Sequence, residues 1–134
     1  MSELDFNLKD TVSGVLVIDK PVGMTSHSVV QVVRQGTGIR RAGHTGTLDP
    51  RASGVLVVLL GPAVRLSEYI SAYDKRYQAI IRLGETTDTF DGDGEVISRA
   101  PVDITLEEIE EALKKFEGRI EQVPPAYSAK RIHG

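Results

Sequence analysis

The residues able to do chemistry crowd into one stretch, Gly43-His44-Thr45-Gly46-Thr47-Leu48-Asp49-Pro50-Arg51, where a histidine, a carboxylate and an arginine fall within nine residues. Glycines at 43 and 46 let backbone come close to a ligand, and loops carried on a rigid scaffold are the usual home of reacting groups. A carboxylate placed there serves as nucleophile or as base. An Asp-Pro pair equally starts an ordinary turn, and a loop histidine is equally satisfied by its neighbours. No second carboxylate lies close in sequence, which argues against the acid pair of a glycosidase. The stretch also lacks the Lys-Ser/Thr pair of a Walker-type phosphate cradle. With no Cys, and with His27, His44 and His133 out of i, i+4 spacing, no catalytic metal is expected. Residues Asp88-Thr-Phe-Asp-Gly-Asp-Gly-Glu95 begin like a calcium loop, but Val96 stands where that loop needs glycine, so a polar turn is expected.

The elements that must hold this stretch follow from hydrophobic patterning. Gly14 to Ile18 is β-branched and predicts a buried strand, entered after a leader of about a dozen residues. Ser26 is the expected N-cap of a helix whose stripe is Val29, Val30, Val32 and Val33, ending near Gly36 and Gly38. Residues 42–53 are expected to form a loop that opens into the apolar strand Gly54 to Leu60. Val64, Leu66, Tyr69 and Ile70 predict a short helix. The alternation from Lys75 to Gly84 predicts a strand, with Tyr77, Ala79, Ile81 and Leu83 on one side. On that pattern alone Tyr77 is a core aromatic. Glu85 to Gly94 follows as an acidic loop. Thr105 to Glu108 forms a capping box for a helix bearing Leu106, Ile109, Leu113 and Phe116 and closed by Gly118. Arg119 to Val123 is expected to be extended, and Tyr127 to Ile132 to begin another extended piece. This order of mixed strands and helices indicates an α+β or α/β sheet domain.

Composition bounds the class. The chain has 134 residues, 40% hydrophobic and 26% charged, enough for one domain with its own core. The longest apolar run, Val55 to Leu60, falls far short of the roughly 20 residues of a membrane span. Met1 to Asp10 is acidic and polar, unlike a targeting peptide, so a cytoplasmic protein with no membrane partner is expected. The net charge of −3 conceals an asymmetry: nine Lys or Arg against three acids between Lys20 and Arg82 give +6, and the remainder carries −9. Such a split suits one face that meets a polyanion, and it equally suits a solvated surface with uneven charge.

Five ordered blocks carry a family resemblance: Gly14-Val-Leu-Val-Ile-Asp-Lys-Pro-Val-Gly-Met-Thr-Ser26, Gly43-His-Thr-Gly-Thr-Leu-Asp-Pro50, Lys75-Arg-Tyr77, Arg82-Leu-Gly-Glu-Thr-Thr-Asp-Thr-Phe90 and Pro124-Pro-Ala-Tyr-Ser-Ala-Lys130. Together they closely resemble the bacterial TruB-type tRNA pseudouridine-55 synthases across residues 14–134. The resemblance implies an α+β fold, a mixed, mainly antiparallel sheet with flanking helices. Residues 1–13 would be a flexible leader, and residues 14–134 the N-terminal part of the pseudouridine synthase catalytic domain. It implies isomerisation of a T-loop uridine of tRNA by base flipping, with no cofactor, with the tRNA T-arm as partner and with no obligate protein partner. Asp49 falls on the family's catalytic aspartate, His44 on the histidine against the substrate RNA, and Tyr77 on the tyrosine that stacks on the target uracil. Lys20, with Pro21, falls on a motif that supports the active-site loop. Arg40, Arg41, Thr45, Gly46 and Lys130 are further candidates for RNA contact or loop support.

Two features of the family are missing from the residues present: the arginine that pairs with the catalytic aspartate and a second tyrosine under the uracil. The chain is therefore expected to be incomplete at the C-terminus, lacking the rest of the catalytic sheet and a PUA-type RNA-binding domain, and to be inactive by itself. A non-catalytic tRNA-binding or tRNA-folding module is the rival expectation. An aspartyl phosphotransferase built on Asp49 is a weaker one.

Overall fold

The computed structural model describes residues 12–123. The chain divides into two compact units, the first ending at Arg76 and the second beginning at Tyr77.

In the first unit the β-branched run Gly14–Lys20 forms β1 and the apolar run Gly54–Leu60 forms β3. They pair antiparallel from Gly14 opposite Leu60 to Lys20 opposite Gly54. A short strand, β2 (Ala42–His44), pairs antiparallel with the other edge of β3, giving the order β1-β3-β2. The expectation that all of residues 42–53 are loop is thus corrected. Ala42 to His44 complete the ladder because β3 offers an open edge whose backbone groups need partners. Leu56, Val58 and Leu60 recur at period two on one face of β3, and α1 (Ser26–Thr37) lays Val29 and Val30 into the same cluster, with Ile39 and Ala42 beside them. Each such side chain contributes about 1.5–3 kcal/mol on burial, so the cluster fixes α1 on the sheet.

The N-cap of α1 is Thr25, whose Oγ1 accepts the Ser28 N–H at 3.0 Å, and not Ser26, which is the first helical residue. Only the residue preceding the first turn has the extended backbone that aims its side chain at those free N–H groups. Gly38, left-handed at φ 70°, ends α1 and donates its N–H to Arg34 O. The short helix predicted after β3 is split into a 3-10 helix, Gly61–Leu66, and α2 (Ser67–Ser71).

The predicted strand over residues 75–84, which would run from the end of the first unit into the second, is absent. Residues 74–82 have no regular structure, and Ile80 is 98% exposed. Alternation marks a sheet-ready sequence, but a strand exists only when a neighbour takes its backbone groups, and among the described residues none pairs with this segment. The acidic loop expected at 85–94 is also corrected. It opens with β4 (Glu85–Thr87), paired antiparallel with β5 (Val96–Arg99). The polar turn between them is built by carboxylates: Asp88 Oδ1 accepts the Glu95 N–H at 2.9 Å, and Asp91 Oδ1 accepts the Asp93 N–H at 2.8 Å. A Cβ on Gly94 would collide with Asp88 Oδ1 and Thr89 Oγ1, so a larger residue there has to displace the Asp88 carboxylate that accepts the Glu95 N–H.

The predicted capping box begins α3 (Leu106–Leu113), with Thr105 N–H donating to Glu108 Oε2 and Glu108 N–H to Thr105 Oγ1. A 3-10 turn, Lys114–Phe116, ends it, and Gly118 follows at φ 76°. All strand pairs among the described residues are antiparallel, and the α+β class holds. No helix among the described residues is long and apolar enough to cross a membrane.

Candidate active site

The loop from Thr45 to Ser53 leaves β2 and enters β3, so both its ends are fixed by one three-stranded sheet. His44 is the last residue of β2, opposite Val58, and Thr45 extends the pairing by donating its N–H to Val57 O at 3.1 Å. The histidine is therefore strand-borne. Its Nδ1 is buried and has no hydrogen-bond partner among the described residues. The Thr45 carbonyl accepts from Ser71 Oγ of α2 at 2.6 Å. Gly46 and Thr47 are exposed.

Beyond Thr47 the backbone is gripped from behind. Ser26 Oγ accepts the Leu48 N–H at 2.9 Å and donates to the Leu48 carbonyl at 3.0 Å. The Asp49 carbonyl takes the Ala52 N–H at 3.0 Å, which closes the turn expected of an Asp-Pro pair. The Pro50 carbonyl accepts the Gly23 N–H at 2.7 Å, with Lys20 Nζ at 3.5 Å. The Asp49 side chain itself is exposed, and its carboxylate makes no hydrogen bond among the described residues. A fixed backbone thus presents a free carboxylate to solvent.

Lys20 is fully buried, an unusual place for an ammonium unless carbonyl oxygens replace its water. They do: Nζ donates to Pro21 O at 2.9 Å and Met24 O at 2.8 Å as well as approaching Pro50. Lys20 thus braces the 21–24 segment against the loop through its ammonium. The basic tally falls accordingly. Arg34 is half-buried with Nη2 donating to Ala42 O at 2.6 Å, while Arg40 and Arg41, just before β2, are exposed. Tyr77 belongs to the second unit, where its ring is 69% exposed and not in a core. Lys130, Tyr127 and Ser128 lie outside the described residues, as do residues 1–11 of the expected leader.

Two gripping residues escape sequence reasoning. Ser26 had a trace: Thr25 and Ser26 are adjacent cap-type residues, only one of which can cap, leaving the other's hydroxyl for a tertiary partner. Ser71 had none, since a serine in a short surface helix is unremarkable until Thr45 is seen beside it. Among the described residues no group of three or more His, Asp or Glu side chains is disposed to hold a metal ion.

Comparison with known proteins bears on the same loop. A family model described as "TruB family pseudouridylate synthase (N terminal domain)" matches residues 34–134. The tRNA pseudouridine synthase B of Caldanaerobacter subterraneus subsp. tengcongensis is 49% identical over 125 residues, covering 92% of this chain and 44% of that protein. The enzyme of the same name from Azoarcus sp. is 49% identical over 123 residues, covering 92% and 41%. The crystal structure of a Cbf5-Nop10-Gar1 complex aligns with a TM-score of 0.61 at 29% identity, over 92% of this chain and 32% of that one. The chain spans less than half the length of the curated relatives it matches.

Proposed function

Because this chain belongs to the TruB family of pseudouridylate synthases, we propose that the protein carrying it isomerises a T-loop uridine of tRNA to pseudouridine, with Asp49 as the reacting carboxylate. The observation that carries this reading is the loop itself: hydrogen bonds hold the backbone at Leu48, Asp49 and Pro50, while the Asp49 side chain stays open to solvent. Precise orientation of a reacting group requires that combination.

The target base lies stacked in a folded RNA loop and must be everted, at a cost of a few kcal/mol. A stack on the exposed ring of Tyr77 returns about 1–3 kcal/mol. Contacts from Arg40, Arg41, His44 and the open Gly46 backbone to the RNA supply the remainder. At the everted nucleotide the N1–C1′ bond breaks, the uracil turns, C5 bonds to C1′ with loss of the C5 proton to solvent, and N1 takes a proton from solvent, so that the product is an isomer of the uridine. The Asp49 carboxylate attacks the ribose or the ring, or takes a proton from the sugar; each route needs its oxygens free of internal partners and held beside the everted nucleotide.

The test uses the protein at its native length and tRNA carrying 5-tritiated uridine. Wild type releases tritium. Asp49→Asn, which removes only the reacting group, abolishes release and leaves tRNA affinity within about twofold. Turnover by that variant refutes the assignment, and tRNA binding by wild type without any tritium release leaves a binding module in place of an enzyme.

A further inference from the structure

We infer that Ser26 is a positioning residue for Asp49, an inference that rests on the synthase reading above. Ser26 heads α1 and is 2% exposed, yet it does not cap its own helix. Its hydroxyl instead accepts the Leu48 N–H and donates to the Leu48 carbonyl, at 2.9 and 3.0 Å, so one side chain occupies both backbone groups of the residue before Asp49.

The consequence is geometric. The Leu48 carbonyl belongs to the peptide plane that carries the Asp49 nitrogen, and the plane on the other side of the Asp49 Cα is held by the Ala52 N–H. With a plane fixed on each side, φ and ψ of Asp49 are set, and the following proline narrows ψ further. Only the two side-chain torsions of Asp49 remain. The anchor is rigid because Val29 and Val30, one turn further along α1, are buried in the core. It is also without substitute. If Lys20 is removed, Pro50 O keeps the Gly23 N–H, whereas among the described residues no group other than Ser26 bonds to the Leu48 N–H or carbonyl.

Ser26→Ala and Ser26→Thr, made in the native-length protein, test this by single-turnover tritium release at varied enzyme concentration. Misplacing a reacting group by an ångström costs about 100-fold, so Ser26→Ala is expected to lower the limiting rate constant by about that factor while leaving half-saturation within about twofold. Ser26→Thr, which keeps the hydroxyl, restores most of the rate. Exchange of the Leu48 amide proton quickens in Ser26→Ala and not in Ser26→Thr. A wild-type rate constant in Ser26→Ala overturns the inference, as does a loss confined to half-saturation. Loss of the native fold in both variants, seen as a lost thermal transition, also overturns it, the role then being structural. Asp49→Asn is run alongside: if it turns over, or if wild type does not, the synthase reading falls, a result distinct from an inert Ser26→Ala beside a dead Asp49→Asn.

Discussion

Replacing Lys20 with Met separates a lysine that braces the loop from one that meets RNA. The long apolar stem is retained and only the ammonium is lost. Two hydrogen bonds from Nζ are well formed, to Pro21 O at 2.9 Å and Met24 O at 2.8 Å, while the third, to Pro50 O at 3.5 Å, is marginal and duplicated by Gly23. Hydrogen bonds from a charged donor are worth about 1.5–3 kcal/mol each, which gives about 3–6 kcal/mol for the pair. Removing the ammonium relieves the penalty of burying it, and that relief offsets part of the loss. With that offset, a net destabilisation of about 2–4 kcal/mol is expected. A surface lysine would change stability by no more than about 0.5 kcal/mol. Urea unfolding of wild type and Lys20→Met by circular dichroism measures the difference, with tRNA affinity taken in parallel at two salt concentrations. A stability change below about 0.5 kcal/mol, together with weaker and less salt-sensitive RNA binding, refutes the bracing account.

The exposed pair Arg40 and Arg41 is expected to act through phosphate contact. Arg40→Gln and Arg41→Gln each weaken tRNA binding and flatten the plot of log K against log salt by about 0.7–0.9, and an unchanged slope removes them from the interface. In the second unit, Thr105→Ala dissolves the capping box at the start of α3 and costs about 1 kcal/mol of local helix stability. Faster amide exchange in the first turn of α3 is the expected sign, and unchanged exchange there rejects the cap as its anchor.

Much of the scaffold was legible because its signals are local. Gly54 to Leu60 is apolar and β-branched throughout, Val29 and Val30 sit on one stripe, and the Thr105–Glu108 box satisfies itself without outside help. Failures came where a partner distant in sequence decides. The alternation from Lys75 to Gly84 specifies two faces but not a neighbouring strand, and no ladder forms on it. Ala42 to His44 look like loop residues until β3 lies beside them, and Ser26 looks like a cap until Leu48 does. The charge window beginning at Lys20 overstates the basic surface for the same reason: burial withdraws that lysine from the surface, and Asp19, just outside the window, is exposed. At the candidate site the type and spacing of His44 and Asp49 were readable. What holds their backbones was not, because those hydrogen bonds span 22 to 30 residues.

That division has a physical origin in the job that the proposed reading gives this loop. A regular strand would fix Asp49 through its ladder, but successive side chains would then point to opposite faces, and a carboxylate aimed into the core could not meet a substrate. An irregular loop frees the side chain at the cost of backbone groups with no ladder partner. Here those groups are met by polar atoms sent from elsewhere: a serine hydroxyl from α1, a lysine ammonium from the end of β1, an amide from the turn after it and a hydroxyl from α2. Ser26 is carried by α1, whose Val29 and Val30 are in the core, and Lys20 by β1, which pairs with β3 along its whole length. Stability and placement of the carboxylate are therefore coupled through the same few hydrogen bonds. On the proposed reading, a variant that keeps the fold but loses the Ser26 hydroxyl, which has no substitute at Leu48, is expected to show the loss in the orientation of Asp49, and so in rate before affinity.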